Sequence, residues 1–588
     1  MSVKIDYSRD SLLSDFSKKT LQDRYLVGDE KSPQEAFARA ATAFADDADH
    51  AQRIYDYASN LWFMFATPVL SNGGTNRGLP ISCFLNYVED SREGITDHYT
   101  ENAFLSSFGG GIGGSWSDVR SSGTKTSKGS ESTGVIPFIK VVDAEMLAFS
   151  QGVTRRGSYA AYLHITHPEI EEFLDGRKPT GGDTNRRFLN LHHGIVLTDA
   201  FLELIYKTTK EPGFDDSWEL IDPHTKEVKK VVSARALWVK ILQNRMETGE
   251  PYIMFEDAVN NDLPEFQRNK GLYVNHSNLC SEITLPTNEE RTAVCCLSSV
   301  NLEYFDEWKQ HPSFIPDLVR FLDNVLEYFI NNAPSTLEKA KYSAHRERSI
   351  GLGAMGFHAY LQKNAIPFEG VIAQTVNFDM FSYIKSKAIE TTRKLAVERG
   401  ACPDDDTCSV RNAHLLAIAP NASSSIICGN TSPSIEPYRA NAFTQKTKSG
   451  SFLQKNKHLE AVLEKYNRND EKTWREIVTN KGSVQHLDFL SPEEKEVFKT
   501  AVEINQAWLI EHASERQQFI CQSQSLNLFF PPDVSKKDLH NVHMLAWAKN
   551  LKTLYYLRSE AIGRADNVSN AVKREIIFEQ EGCLSCEG

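Results

Sequence analysis

The sequence predicts an α/β fold, and two observations lead to that prediction. In the middle of the chain, short β-like runs alternate with helical runs and Gly-rich turns. The run "HHGIVLT", for example, comes directly before the helical run "DAFLELIYKTTK". Helical stretches precede and follow this mixed region. Strands that alternate with helices along a chain are typical of α/β architectures.

The first region, residues 1–65, is predicted to be helical. Apolar residues recur at helical spacing between Ser32 and Phe65. Ser32 followed by Pro33 predicts a helix start, with serine as the N-cap and proline at the first helical position. The N-terminal segment has no apolar core of the kind that a signal peptide needs.

Three further regions follow. Residues 66–530 are predicted to form the α/β domain. Residues 531–566 are predicted to be a helical segment, because "KKDLHNVHMLAWAKNLKTLYYLRSEAI" reads as one helix that carries Tyr555 and Tyr556. The polar residues 567–588 are predicted to form a flexible tail.

The composition is that of an ordinary soluble globular protein, with 588 residues, 40% hydrophobic and 24% charged. A net charge of −13 argues against a surface for nucleic acid. No apolar run is long enough to cross a bilayer. A cytoplasmic location is therefore predicted. There the ten cysteines would be reduced, and catalytic, metal-binding or buried roles are expected rather than a disulfide framework.

Asn278, Cys280 and Glu282 occupy alternate positions of "NHSNLCSEITLP". In extended backbone, alternate side chains point to the same side, so an amide, a thiol and a carboxylate would lie together. The other interpretation is an ordinary strand with one buried cysteine, because cysteine is often only a small hydrophobic residue.

Cys583 and Cys586 form a C-x-x-C motif near the end of the chain. Such pairs exchange disulfides readily, which favours a redox arm that reduces a buried disulfide elsewhere. The alternative is half of a zinc site. Cys402 and Cys408, in "ACPDDDTC", would make a poor second half of such a site.

Cys83 and Cys295 are candidates for the disulfide that this arm would reduce. They lie in "LPISCFLNYVED" and "TAVCCLSSVNL", β-like runs in which simple burial is the default. A disulfide needs Cα atoms about 4.4–6.8 Å apart. The sequence alone does not show whether the two residues meet.

Two segments rich in glycine or serine predict a site for an anionic ligand. Gly109–Gly114 lie in "SSFGGGIGGSWSDVR", and Asn421 with Ser423–Ser425 lie in "APNASSSIICGN". The second pattern fits a helix N-terminus, where free N–H groups bind phosphate. Neither segment matches a P-loop or a dinucleotide-binding fingerprint.

Several segments, taken together and in their order along the chain, resemble the large (alpha) subunit of class I ribonucleotide reductase. They are "ATPVLSNGG", "ISCF", "GGGIGG", "SNLCSEITLP", "AVCCLSSVNL", "APNASSS" with "SIEP", "LKTLYY" and the terminal C-x-x-C. The resemblance runs from "YLVGDE" to the last cysteine. It implies a ten-stranded α/β barrel with the radical cysteine on an internal finger loop.

The resemblance also implies a function, the reduction of ribonucleoside diphosphates to 2′-deoxyribonucleoside diphosphates through a thiyl radical. Cys280 would carry the radical, and Glu282 would take the proton of the 3′-hydroxyl. Asn278 would orient that carboxylate and the sugar. Cys83 and Cys295 would supply the reducing equivalents and end as a disulfide.

Further roles implied by the resemblance concern the partners. Cys583 and Cys586 would reduce the disulfide and be reduced in turn by thioredoxin or glutaredoxin. Tyr555 and Tyr556 would pass the radical inward from a small (beta) subunit that holds the metal or radical centre. No cofactor or metal is expected in this chain, which is expected to form a homodimer.

The nucleotide sites follow from the same resemblance. Asp90, Arg120 and Lys128 match a site for ATP or dNTP specificity effectors, and "SQGVTRRGSYA" resembles the loop that links this site to the substrate. The sequence has "PNASSS" where "PSETSS" is commoner, but backbone N–H donors need no particular side chain. The residues expected to bind substrate are Thr67, Ser82, Cys83, Gly111, Asn278, Glu282, Ala422, Ser423 and Ser424.

Three alternatives and one regulatory expectation remain. An adenosylcobalamin-dependent reductase would share the core cysteines but needs no tyrosine relay, a zinc-binding or scaffold protein would bind metal, and a degenerate regulatory relative would lack catalytic residues. "QDRYLVGDE" resembles the text that follows the family's N-terminal ATP-binding domain, yet Tyr25 lies near the start of the sequence. We therefore expect specificity control without inhibition by dATP through that domain.

Overall fold

The computed structural model describes residues 3–149, 157–178, 182–447 and 450–559. The predicted tail at 567–588, with Cys583 and Cys586, lies outside the described residues. So do residues 150–156 of "SQGVTRRGSYA".

The described residues contain fifteen strands and twenty-two α-helices. The strands are β1 Phe63–Phe65, β2 Cys83–Tyr87, β3 Gly111–Ser115, β4 Ser158–His164, β5 His192–Leu197, β6 Ser217–Ile221, β7 Val228–Ser233, β8 Tyr252–Phe255, β9 Ala293–Asn301, β10 Ile350–Met355, β11 Ala442–Thr447, β12 Gly450–Lys455, β13 Leu528–Phe530, β14 Thr553–Leu554 and β15 Leu557–Ser559.

The helices are α1 Asp15–Arg24, α2 Pro33–Phe44, α3 Ala48–Ser59, α4 Thr67–Asn72, α5 Arg92–Ser107, α6 Val135–Ala148, α7 Ile170–Asp175, α8 Asp199–Lys210, α9 Ala234–Thr248, α10 Glu256–Asn261, α11 Glu265–Asn269, α12 Phe305–Trp308, α13 Phe314–Asn332, α14 Glu338–Glu347, α15 Phe357–Lys363, α16 Val371–Arg399, α17 Ala422–Ile427, α18 Lys457–Lys465, α19 Glu471–Thr479, α20 Pro492–Val497, α21 Gln506–Gln517 and α22 Lys536–Ala548.

One curled sheet of nine strands forms the wall of a barrel. Its order is β1-β9-β2-β3-β4-β5-β8-β14, and β10 also pairs with β9. The pairs from β2 to β8 are parallel, while β9 runs antiparallel to β2. Single-residue bridges, Leu352–Leu416 and Ile418–Gln524, extend the curl beyond β10. The prediction of an α/β barrel is confirmed.

Local signals at several positions are also confirmed. The run "HHGIVLT" forms β5, and the run after it forms α8. α2 begins as predicted, because Ser32 caps it in a full capping box with Glu35 and Pro33 occupies the first turn.

The C-terminal helix is shorter than predicted. It ends at Ala548, and the chain turns at Asn550, which has a φ of 57°. Tyr555 and Tyr556 lie in extended backbone between β14 and β15 rather than on a helix. The reason is tertiary pairing: Thr553 of β14 pairs with Met254 of β8, and such long-range pairing overrides local helix propensity.

Candidate active site

The segment with Asn278, Cys280 and Glu282 is a tight loop inside the barrel, not extended backbone. Residues 279–281 form a turn, and Ser281 has a φ of 65°. The Asn278 side chain holds the turn closed, because its Oδ1 accepts the N–H groups of Glu282 (3.0 Å) and Ile283 (3.1 Å). The alternation argument is therefore wrong, although the three residues do come together.

Glycine in β3 allows this loop to approach the sheet. A Cβ on Gly113 would lie 2.1 Å from the carbonyl oxygen of Ser277, so no side chain fits there. Tyr162 of β4 donates its hydroxyl to the Asn278 carbonyl at 2.7 Å. The run "GGGIGG" is thus a buried strand that positions the loop, rather than a phosphate-binding loop.

A second segment supports the loop from the other side, and sequence reasoning missed it. Ser525 donates its hydroxyl to the carbonyl of Cys280 (2.5 Å) and to Oε2 of Glu282 (3.2 Å). The N–H of Ser523 donates to the Glu282 carbonyl, and Thr553 Oγ1 donates to the Ser281 carbonyl. No motif in "CQSQSLN" signals this role, because the contacts join residues more than 240 positions apart.

Cys83 and Cys295 are brought together by the sheet. They are direct partners across the antiparallel strands β2 and β9. Opposed residues in such a pair have Cα atoms about 4.5–5.5 Å apart, which is within the range of a disulfide. Both are buried and present as thiols. The fold therefore places Cys83 and Cys295 close enough to form a disulfide, which the sequence alone did not show.

The environment of Cys295 keeps its thiol protonated. Burial raises the pKa of Cys295 well above its ordinary value and outweighs the hydrogen bond from Gln522, which lowers it; the nearby Cys83, Cys296 and Glu282 add smaller raising effects. Gln522 Nε2 lies 3.5 Å from the sulfur. Gln522 also links the cysteine pair to the finger loop, because the N–H of the next residue, Ser523, donates to the Glu282 carbonyl.

The side-chain amide of Asn278 offers a buried donor in this site. Nδ2 of Asn278 is buried, and among the described residues it has no hydrogen-bond partner. A buried donor of this kind is expected to meet a ligand or water, because leaving it unsatisfied is costly.

The rings of Tyr555 and Tyr556 contact each other at a tilt beside the finger loop. Their ring centroids are 4.3 Å apart, and both rings also contact Tyr252, at 4.8 and 5.0 Å. Cys280 belongs to the same buried cluster of side chains. Tyr252 of β8 was not identified from the sequence, since nothing in "PYIMF" distinguishes it from an ordinary core residue.

Polar and charged side chains surround Tyr556. Its hydroxyl lies 3.2 Å from Nδ1 of His192, which lies 2.5 Å from Oε1 of Glu250. The guanidinium carbon of Arg558 lies 4.0 Å from the centre of the Tyr556 ring.

Strand β9 connects the other residues expected at the substrate. Ser298 Oγ accepts the N–H of Ala66, next to Thr67, and Ser299 Oγ donates to Asn421, next to Ala422. As predicted, a helix, α17, begins at Ala422, so that Ser423 and Ser424 lie in its first turn. Thr67, Ser82, Gly111, Ser423 and Ser424 are all buried.

The residues expected at the effector site are brought together in part. Arg120 Nε lies 3.0 Å from Oδ2 of Asp90, and Nδ1 of His224, which sequence reasoning missed, lies 3.1 Å from the same oxygen. Lys128 lies in an exposed turn of the loop that follows Arg120.

The described parts of the chain contain no group of three or more His, Cys, Asp or Glu side chains arranged to hold a metal ion. They also contain no helix that is both long and apolar enough to span a membrane.

Comparison with known proteins gives consistent matches. Family models described as "Ribonucleotide reductase, all-alpha domain" and "Ribonucleotide reductase, barrel domain" match residues 11–78 and residues 81–409 with 405–557. The chain is 44% identical to the ribonucleoside-diphosphate reductase large subunit of Invertebrate iridescent virus 3, over 100% of both chains. It is 32% identical to that of Monkeypox virus, over 99% of this chain and 83% of that protein.

A solved structure agrees with these sequence matches. The class Id ribonucleotide reductase alpha subunit of Actinobacillus ureae superposes with a TM-score of 0.81 at 34% identity, covering 95% of this chain and 99% of that one. The chain belongs to the family of ribonucleotide reductase large subunits.

Proposed function

We propose that this chain reduces ribonucleoside diphosphates to 2′-deoxyribonucleoside diphosphates by thiyl-radical chemistry. The observation that carries the proposal is the register of β2 and β9, which sets Cys83 opposite Cys295 beside a loop that holds Cys280 and Glu282. A reducing pair, a hydrogen-abstracting sulfur and a base are thus gathered in one buried site.

Each of these residues has its own role in the reaction. The Cys280 thiyl radical takes the hydrogen atom from C3′, and Glu282 accepts the 3′-hydroxyl proton. The 2′-hydroxyl leaves as water after it receives a proton from the Cys83–Cys295 pair. The two thiols supply two electrons and become a disulfide, and their second hydrogen forms the new C2′–H bond. Glu282 returns its proton to the 3′-oxygen, and Cys280 returns the hydrogen atom to C3′ and is again a thiyl radical. The high pKa of Cys295 suits this role, since the thiol keeps its proton until the leaving group needs it.

Substrate binding is proposed on the same side of the barrel. The Nδ2 group of Asn278 is a donor for a sugar hydroxyl. Thr67, Ser82 and Gly111 would line the nucleotide site. The diphosphate would meet the backbone N–H groups of Ala422, Ser423 and Ser424, which lie in the first turn of α17.

We propose a class I enzyme, in which the radical comes from a small subunit that carries the metal or radical centre. The tyrosine cluster supports this choice, because Tyr556, Tyr555 and Cys280 belong to one contiguous packed group. An adenosylcobalamin-dependent enzyme forms its radical locally and needs no such relay. A zinc-binding scaffold remains a different outcome, which metal analysis of the purified chain would reveal.

Other partners are proposed from the family likeness. Cys583 and Cys586 would transfer electrons from thioredoxin or glutaredoxin, in a reducing cytoplasm. Asp90, Arg120 and Lys128 would bind ATP or dNTP effectors. A homodimer is also proposed, and it is supported by exposed apolar side chains on α5 (Phe104), on α6 (Val141 and Leu147) and directly after α6 (Phe149).

The test is CDP reduction by the purified chain with dithiothreitol, with and without a ribonucleotide reductase small subunit. We expect turnover only with the small subunit and none with Tyr556→Phe, which keeps the ring but has no oxidisable O–H. Turnover with adenosylcobalamin in place of the small subunit would contradict the class I assignment.

A further inference from the structure

Cys521 is a cysteine that the proposed reaction does not use. It is partly exposed and lies between α21 and the segment that supports the finger loop. The next residue, Gln522, contacts the sulfur of Cys295, and the carbonyl of Cys521 accepts a hydrogen bond from Nζ of Lys552 at 2.7 Å.

The sulfur of Cys521 is held as a hydrogen-bond acceptor. The backbone N–H groups of Leu415 and Leu416 both point at it, with N···S distances of 3.1 and 3.2 Å. As a donor, the thiol would have the more distant carbonyl of Leu416, at 3.7 Å, and the imidazole of His414. Two converging N–H donors favour a negatively charged sulfur over a neutral thiol.

A buried histidine completes the site. His414 is 1% exposed, and Nδ1 has no hydrogen-bond partner among the described residues, but the imidazole faces the sulfur of Cys521. Its Nε2 lies 2.9 Å from Oε1 of Gln267, whose Nε2 donates to Glu347. Because Oε1 of Gln267 can only accept, Nε2 of His414 carries the hydrogen, and Nδ1 is the acceptor on the side of the ring that faces the sulfur.

The charges around the sulfur act in the same direction. Lys385 of α16 and His414 face Cys521, and Lys552 is near it but is paired with Asp262 at 2.6 Å. Burial opposes ionisation, but Lys385, His414 and the N–H of Leu415 outweigh it and lower the pKa of Cys521 to about 5.

We propose that Cys521 is a modification site, a thiolate at neutral pH that reacts with hydroperoxides and with alkylating electrophiles. With hydrogen peroxide, the sulfur attacks one oxygen, the S–O bond forms as the O–O bond breaks, and the hydroxide that leaves takes a proton to become water. The sulfur is oxidised to the sulfenic acid and the peroxide is reduced. Partial exposure and an electropositive surround are the features that reactive cysteines share.

The test is the rate of iodoacetamide labelling at each cysteine of the full chain between pH 4.5 and 8.5, followed by mass spectrometry. We expect the rate at Cys521 to rise to a plateau with a half-point near pH 5. An ordinary thiol with a pKa near 8.5 gains thiolate about tenfold per pH unit over this range. The exposed Cys408 in the same digest reports that the reagent is active. A Cys521 rate that keeps rising to pH 8.5 would overturn the proposal.

Two lysine variants separate the charge effect from a general change in the fold. Lys385→Gln should raise the half-point by about one pH unit, because it removes an opposite charge near the sulfur. Lys387→Gln, two residues along the same helix, is the matched control and should leave the half-point unchanged. Equal half-points in all three proteins would contradict the charge assignment.

A peroxide arm tests the oxidation itself. After treatment with hydrogen peroxide, a cyclic 1,3-dione should trap a sulfenic acid at Cys521 in the wild-type chain. The variant Cys521→Asp, which keeps a negative charge for the two N–H donors, should show no adduct on that peptide. The absence of an adduct from the wild-type chain would overturn the oxidation proposal, and these readouts do not depend on nucleotide reduction.

Discussion

The buried Cys295 in the barrel sheet and the partly exposed Cys521, which we call the rim cysteine, carry the same chemical group in opposite states. Cys295 lies in a sheet among apolar residues and other acids, and its pKa is raised well above the ordinary value by burial. The residue that follows Cys521, Gln522, contacts the sulfur of Cys295. Nevertheless, nearby cations and N–H donors lower the pKa of Cys521 to about 5. What decides the state of each thiol is therefore the set of charges and hydrogen-bond donors near the sulfur, and not depth alone.

The difference in pKa suits the different roles proposed for Cys295 and Cys521. A thiol that keeps its proton in the interior can protonate a leaving group and does not react early with oxidants. A thiolate at the rim is already a nucleophile. Substitutions at each of the two cysteines, and at the residues around them, test this difference.

Cys280→Ser tests the interior most severely. We expect turnover of CDP with the small subunit to fall at least a thousandfold. Serine has a much stronger O–H bond, and a barrier higher by only about 4 kcal/mol gives that factor. The fold should persist, because the side-chain volume hardly changes, so circular dichroism and CDP binding are the controls. Substantial deoxynucleotide formation by this variant would end the radical assignment.

A pair of matched serine substitutions compares the two regions directly. Cys295→Ser should reduce steady-state turnover with dithiothreitol at least about a hundredfold, because serine cannot form the disulfide. Cys521→Ser should keep turnover within about twofold of the wild-type rate. Similar losses in both variants would show that the rim cysteine belongs to the catalytic machinery.

The sequence predicted those parts of the molecule whose signals are local. Ser32 and Pro33 mark a helix start through their own backbone preferences, and α8 shows its amphipathic spacing over twelve residues. The identity of the site residues rests on motif order, because neither Cys83 nor Cys295 carries a signal that the other lies across the sheet.

The remaining features depend on contacts between distant segments. The turn at 279–281 requires a φ of 65° at Ser281, and the loop fits only because Gly113 leaves room for it. Tyr555 was placed on a helix because its neighbours favour one, but pairing of β14 with β8 decides the outcome. Ser525 gave no signal at all, since its partner carboxylate is 243 positions away.

Ser525→Ala tests the support of the finger loop from outside. The change removes a donor to Glu282 and to the carbonyl of Cys280, and we expect kcat to fall about tenfold, the usual cost of one such buried bond. Ser523→Ala is the matched control, because its hydroxyl reaches the loop only indirectly, through Thr553, and its supporting N–H remains. The control should stay within about threefold. An equal loss in both variants would indicate a general loosening of the segment.

The smallest effect is the contribution of Cys521 to stability. The pKa of an ordinary cysteine is near 8.5, and in the fold that of Cys521 is about 5. The stabilising effect of a depressed pKa is complete above about pH 8.5 and is lost as the pH falls toward 5. The free energy of unfolding in urea, compared between wild type and Cys521→Ser, should therefore differ more at pH 9 than at pH 5. After a discount for partial exposure, we expect the change to be on the order of 2 kcal/mol.

Cys402→Ser is the control for this prediction. Burial raises the pKa of Cys402 to about 12, so the stabilising effect of the Cys402 thiol should shrink rather than grow between pH 5 and pH 9. The same pH trend in both variants would remove the distinction between the rim thiolate and a buried thiol.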